Sequence, residues 1–147
     1  MPTDTAESTV LVAAPYDEVL ATIRDVASQV AWIPEIREAE VLETDAEGRP
    51  STARFKASAT VGTDEYTLAY VHEPDGMSWT MVKGRLQTGQ EGRYTLAEAG
   101  PSRTRVSYRL TIHHNLPLPG FVRRRVIQGL VDSTLAGLQA RFAGRAA

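Results

Sequence analysis

The apolar positions of this chain change period twice. The run "STVLVAA" (Ser8–Ala14) is short and β-branched, which predicts a strand. Pro15 with Asp17 and Glu18 behind it is a helix start, because proline suits the first helical position and acids suit the first turn. Val19, Leu20, Ile23 and Val26 then recur at helical spacing. "SQVAWIPEI" predicts one further short helix, stopped by Pro34 because the residue before proline avoids the α region. Trp32 in that stretch is read as a structural plug against the C-terminal helix.

From Ile36 to His113 the period falls to two. Alternating segments at 36–45, 51–59, 65–73, 77–84, 87–98 and 103–113 are separated by turn signals such as "AEGRP", "EPDG" and "EAGPS". After Gly120 the period is helical again. Ile127, Leu130, Val131, Thr134, Leu135, Leu138 and Phe142 form one stripe on a helix roughly 35 Å long. Gly129 and Gly137 lie inside it, explained either by close packing or by tolerated slack. The order predicts an α+β fold: a curved seven-stranded antiparallel sheet around a long C-terminal helix, with two short helices after the first strand. Residues 1–147 are expected as one domain with frayed tails at 1–7 and 144–147.

Alternation also sorts the side chains by face. The inward set is Ala53, Phe55, Ala57, Tyr66, Leu68, Tyr70, Met77, Trp79, Met81, Gly92, Tyr94, Leu96, Val106, Tyr108, Leu110 and Ile112; Arg54, Lys56, Arg93, Arg105 and Arg109 face water. The strand around Tyr66 is ambiguous, since Ala69 and Val71 could also face in. Four tyrosines and a tryptophan are a heavy polar load for a dry core, because each buried hydroxyl needs a partner. That points to a cavity of roughly 300–1,000 Å³ between sheet and helix. Its candidate ligand-binding residues are Phe55, Tyr66, Tyr70, Trp79, Met81, Tyr94 and Tyr108, with Ile127 and Val131 from the helix.

Composition narrows the chemistry. With no cysteine there is no disulfide framework and no thiolate site. No apolar run reaches the ~20 residues that span a bilayer, and the polar start is unlike a signal peptide, so a cytoplasmic protein is expected. A net charge of −2 hides a polarity along the chain. Residues 1–48 hold 11 acidic and 2 basic side chains, whereas 103–147 hold 8 basic and 1 acidic. The two ends are expected to meet and neutralise each other, and no arginine-aromatic motif suggests nucleic acid.

At the level of motifs, "VLVAAPYDEVLATIRDVASQVAWIPEIREAEVLE", "SWTMVKGRL", "GRYTL", "TRVSYRL" and "LPLPGFVRRRVIQGLVDSTLAGLQ" resemble, in that order, the START-like polyketide cyclase/dehydrase superfamily. The resemblance runs from Ser8 to Phe142 and implies a helix-grip fold with a hydrophobic ligand cavity. Relatives in that superfamily include lipid and quinone carriers, aromatase/cyclases and chaperone-like partners, so the chemistry is left open. Binding or transport of a small hydrophobic molecule (a lipid, polyketide or quinone-like compound) is the expected function. A cyclase, aromatase or dehydratase using cavity tyrosines is the alternative, and an interaction module without ligand is a third.

The remaining motifs add constraints. His113 and His114 are adjacent at a strand end, where successive side chains face opposite ways, and His72 stands apart; no metal and no cofactor is expected. Arg123, Arg124 and Arg125 open the long helix, where cations are disfavoured. Helical projection turns Arg123 and Arg124 toward the sheet and Arg125 to solvent. Three readings stand: salt bridges to the acid-rich segment Glu35–Glu47, an anion-binding rim formed by Arg123 and Arg124, or a transient membrane-surface contact with Leu116, Leu118 and Phe121.

Overall fold

The computed structural model describes residues 3–59 and 62–143. Strand β1 (Thr3–Val12) leads into helix α1 (Tyr16–Arg24), a 3₁₀ turn (Val26–Ser28) and helix α2 (Gln29–Trp32). Six strands follow: β2 (Ile36–Thr44), β3 (Pro50–Ala59), β4 (Gly62–Glu73), β5 (Gly76–Gly84), β6 (Gln87–Glu98) and β7 (Thr104–His114). Helix α3 (Gly120–Ala143) closes the fold. All neighbouring strands are antiparallel, in the order β1-β7-β6-β5-β4-β3-β2. The α+β, helix-grip expectation is met.

Two boundaries differ from the expected ones. Pro15 stands just before α1 as its N-cap, its carbonyl accepting the Glu18 and Val19 amides at 3.1 Å. More telling, residues 3–7 are no frayed tail: Thr3 pairs with His113 and Glu7 with Arg109. Their pairing is hidden from a hydrophobicity reading because the inward positions are Asp4 and Ala6. On the outer face the strand is held by hydroxyl pairs, Thr5 to Thr111 and Thr9 to Ser107, each at 2.9 Å. Residues 1, 2 and 144–147 lie outside the described residues. Pairing β1 with β7 also joins the acidic and basic ends of the chain, as Glu7 and Arg109 show at 3.4 Å.

Most of the inward set is buried, with Ala57, Met81, Gly92 and Ile112 only half-buried, and the ambiguity in β4 resolves toward Tyr66, Leu68 and Tyr70, with Val71 exposed. Helix α3 lies along β1 and β7 and touches α2. Its lower half is dry: Val131, Leu135, Leu138 and Phe142 are fully buried. Gly137 is there for close approach, since a Cβ would collide with the Trp32 carbonyl oxygen. Trp32 is buried, with its indole N–H on Ser28 Oγ at 3.1 Å, the structural plug its position suggested.

Candidate functional site

Between the sheet and the upper half of α3 lies a cavity of about 160 Å³. It is smaller than the side-chain count alone suggested, and the aromatic rings are the reason. Phe55 and Tyr66 stack at 5.5 Å, and Tyr94 and Tyr108 at 4.6 Å. Trp79 wedges among Tyr70, Tyr94 and Tyr108 with centroid separations of 5.9, 5.3 and 5.8 Å. The room left by Gly92 is already taken, because its missing Cβ is where the Trp79 indole sits. Aromatic packing thus converts most of the expected volume into a floor.

Of the residues singled out in the sequence, Tyr66, Tyr70, Trp79, Tyr94, Tyr108 and Ile127 line the cavity. Phe55, Met81 and Val131 do not. Phe55 is sealed behind Tyr66, Val131 is fully buried in the dry half of the core, and Met81 is half-buried with its sulfur against Gly84. The sequence reading also missed the polar lining: Asp4, Gln29, Asp64, Gln87, Gln90 and His114.

One polar end is a directed chain of hydrogen bonds. The Trp79 indole N–H donates to Gln90 Oε1 at 2.8 Å, Gln90 Nε2 to Gln87 Oε1 at 2.7 Å, and Gln87 Nε2 to Asp64 Oδ2 at 3.0 Å. Asp64 also accepts the backbone amides of Arg85, Leu86 and Gln87 at 3.1, 2.8 and 3.3 Å. The carboxyl thus accepts four N–H groups, three from the backbone and one from a side chain. The chain leaves each buried amide satisfied and locks the indole in place.

The other end joins both termini of the fold. Asp4 Oδ2 receives His114 Nε2–H at 2.8 Å and Arg123 Nε–H at 3.1 Å. Arg123 Nη1 donates to the Leu118 carbonyl at 2.8 Å, and the Leu116 amide donates to His114 Nδ1 at 3.2 Å. The imidazole therefore has both ring nitrogens engaged. Burial works to raise the Asp4 carboxyl, but hydrogen bonds from His114 and Arg123 and the guanidinium charge together bring it below its ordinary value. His113 faces the opposite way, bonded to Thr3 and Glu91 at 2.8 and 2.9 Å. His72 Nε2 ties to the Pro50 carbonyl at 2.6 Å. No cluster of three or more metal-ligating side chains occurs among the described residues.

The arginine triplet divides differently from its helical projection. Arg123 does reach the cavity, but its guanidinium is already engaged by Asp4, not by the Glu35–Glu47 segment. That segment pairs instead with Arg54, Lys56 and Arg49. Arg124 is exposed and not among the lining residues, so it does not form a rim with Arg123. Helix α3 starts at Gly120, one turn is used in leaving Pro119, and only Arg123 falls over the β1–β7 end.

Burial pushes all four cavity tyrosines well above their ordinary pKa. Their hydroxyls stay protonated and serve as hydrogen-bond donors and acceptors. At Tyr70 the buried Gln29 side chain works against burial and lowers the hydroxyl's pKa, though burial prevails. The Tyr66, Tyr94 and Tyr108 hydroxyls have no hydrogen-bond partner among the described residues.

Residues 3–143 match the family described as polyketide cyclase / dehydrase and lipid transport. The chain belongs to that family. Solved structures agree on the fold. A START superfamily protein from Mycobacterium smegmatis superposes with a TM-score of 0.89 at 22% identity, covering 96% of this chain and 98% of the other. The Zhui aromatase/cyclase from a Streptomyces species gives 0.77 at 16% identity, covering 99% and 94%. The di-domain aromatase/cyclase StfQ of the steffimycin biosynthetic pathway also gives 0.77, at 17% identity, with this chain spanning 52% of it. No curated protein sequence matches the chain. Family members of this fold bind hydrophobic ligands, and among the described residues no helix is long and apolar enough to cross a membrane.

Proposed function

We propose that this protein binds a small, mostly apolar ligand of about one ring in the cavity between the sheet and α3. The observation that carries this reading is an aromatic floor bearing three tyrosine hydroxyls without protein partners, Tyr66, Tyr94 and Tyr108. These hydroxyls open on the cavity, where a ligand carbonyl or hydroxyl can engage them, each such hydrogen bond being worth about 0.5–1.5 kcal/mol. At about 160 Å³ the space is close to the ~150 Å³ of an apolar cavity known to admit benzene. A larger lipid or polyketide would require α3 or the β7–α3 connection to move.

The enzymatic alternative, a cyclase or aromatase, draws on the same tyrosines. Their raised pKa values make them weak proton donors at neutral pH, and His114 has no free nitrogen to act as a base. Both points favour binding over turnover. The test is native mass spectrometry of the protein as purified, followed by titration with benzamide read by tryptophan fluorescence. Trp79 should respond, and the response should vanish in Trp79→Phe while surviving in Trp32→Phe. No bound mass and no response from Trp79 would remove the binding reading.

A further inference from the structure

The charges around the cavity are unbalanced. Asp64 is a buried carboxylate, and Glu35 is half-buried on the same lining, its Oε1 bonded by Ser133 Oγ at 3.1 Å. Among the described residues neither carboxylate has an ion-pair partner. Asp4 is the third lining carboxylate, and Arg123 is the one lysine or arginine among the lining residues; these two cancel each other at 3.1 Å. His114 has both ring nitrogens engaged, one of them by Asp4 itself. The surplus is therefore negative, and it reaches the free hydroxyls: the Asp64 charge adds to the rise of Tyr66, and the Glu35 charge to that of Tyr108, behind burial as the main cause.

We propose that the cavity selects against carboxylates and takes uncharged ring compounds that offer a hydrogen-bond acceptor, such as an amide, ketone or phenol. This rests on the binding reading above and gives it a ligand class. A carboxylate entering the site would meet two carboxylates that have no cationic partner, in a medium that screens them poorly, with the one guanidinium on the lining already spent on Asp4. An uncharged carbonyl of the same shape would receive the tyrosine O–H groups without that repulsion. The alternative of an anion-binding rim at Arg123 requires breaking a buried pair to free the cation, which the lining offers nothing to offset.

Benzamide and benzoate test this, because they share a ring and nearly the same outline. Ligand-observed NMR at neutral pH should give benzamide at least about tenfold tighter binding than benzoate. The ratio should shrink toward one in Asp64→Asn, chiefly through a gain in benzoate affinity. Glu35→Gln serves the same purpose if the first variant does not fold. Benzoate binding as tightly as benzamide, or more tightly, overturns the proposal while leaving the binding reading intact. A tenfold ratio that persists unchanged in both variants also overturns it, since the selectivity would then arise elsewhere. Binding of neither compound overturns the binding reading and this proposal together.

Discussion

The two halves of α3 do different work within one continuous helix. Val131, Leu135, Leu138 and Phe142 are fully buried on the face that α3 turns to β1, β7 and α2, and Thr134 among them is the last helix residue to border the cavity. From Arg123 to Leu130 the inward residues line a cavity, and Val126 and Leu130 are only half-buried. The two interior glycines mark the contrast: a Cβ on Gly137 would strike the Trp32 carbonyl, whereas one on Gly129 would meet nothing within 4 Å. The lower half holds the fold together, and the upper half roofs the site. Stability and binding should therefore separate along the helix.

The largest expected effect lies in the dry half. Leu135→Ala or Leu138→Ala should destabilise the protein by about 2–5 kcal/mol in urea unfolding, because each leaves a void in a closed core. Leu130→Ala should cost less, since its side chain already borders open space, and should change ligand affinity instead. Gly137→Ala should destabilise despite alanine's ~1 kcal/mol advantage in helices, while Gly129→Ala should stabilise by up to that amount. Equal costs at Leu130 and Leu135 would erase the distinction between the halves.

The next effect sits where the upper half is pinned to β1. Asp4→Asn places an amide N–H group among donors from His114 and Arg123, which should cost about 1–3 kcal/mol near pH 7. Its pH dependence follows from the depressed carboxyl of Asp4. A group whose folded pKa lies below its unfolded value of about 3.9 contributes fully above that value and loses the contribution as pH falls through the folded pKa. The gap between the wild type and Asp4→Asn should thus be constant from pH 7 to about 5 and close below about 4. A gap unchanged in acid would mean that the charge of Asp4 contributes nothing.

Periodicity carried the fold because its signals were redundant. Six alternating strands, a proline-led α1 and a 3.6-residue stripe in α3 all required the same two-layer answer. The site was legible only in its apolar part. Asp4, Asp64 and Gln90 sit in the same alternation as Ala6, Tyr66 and Tyr94, so the inward parity was present in the sequence. Reading polar residues as outward hid them, although a buried carboxylate with enough N–H donors costs little. Cavity volume was not legible at all. It depends on ring-to-ring packing around Trp79, which no one-dimensional pattern encodes. Arg124 was misplaced because helical projection gives a direction around the helix axis but not which turn of the helix stands over the cavity, and Arg124 is exposed and off the lining.

The smallest expected effect is also the most discriminating, since it separates tyrosines within one cavity. The Gln29 side chain opposes the effect of burial at Tyr70, whereas no side chain does so at Tyr66, Tyr94 or Tyr108. Tyr70→Phe should lose about 0.5–1.5 kcal/mol of stability, the usual net worth of a hydrogen bond. Tyr94→Phe and Tyr108→Phe should leave stability unchanged or raise it by less than about 1 kcal/mol, because a poorly solvated hydroxyl disappears and the stacked ring area stays. Binding should order the same variants in reverse. Removing a hydroxyl that serves the ligand should weaken benzamide about three- to tenfold, while Tyr70→Phe, whose hydroxyl serves the protein, should change it little. Thermal melts with and without benzamide measure both quantities in one series. If Tyr94→Phe and Tyr108→Phe each destabilise the free protein as much as Tyr70→Phe does, their hydroxyls serve the fold, and the roof of α3 covers a packed core.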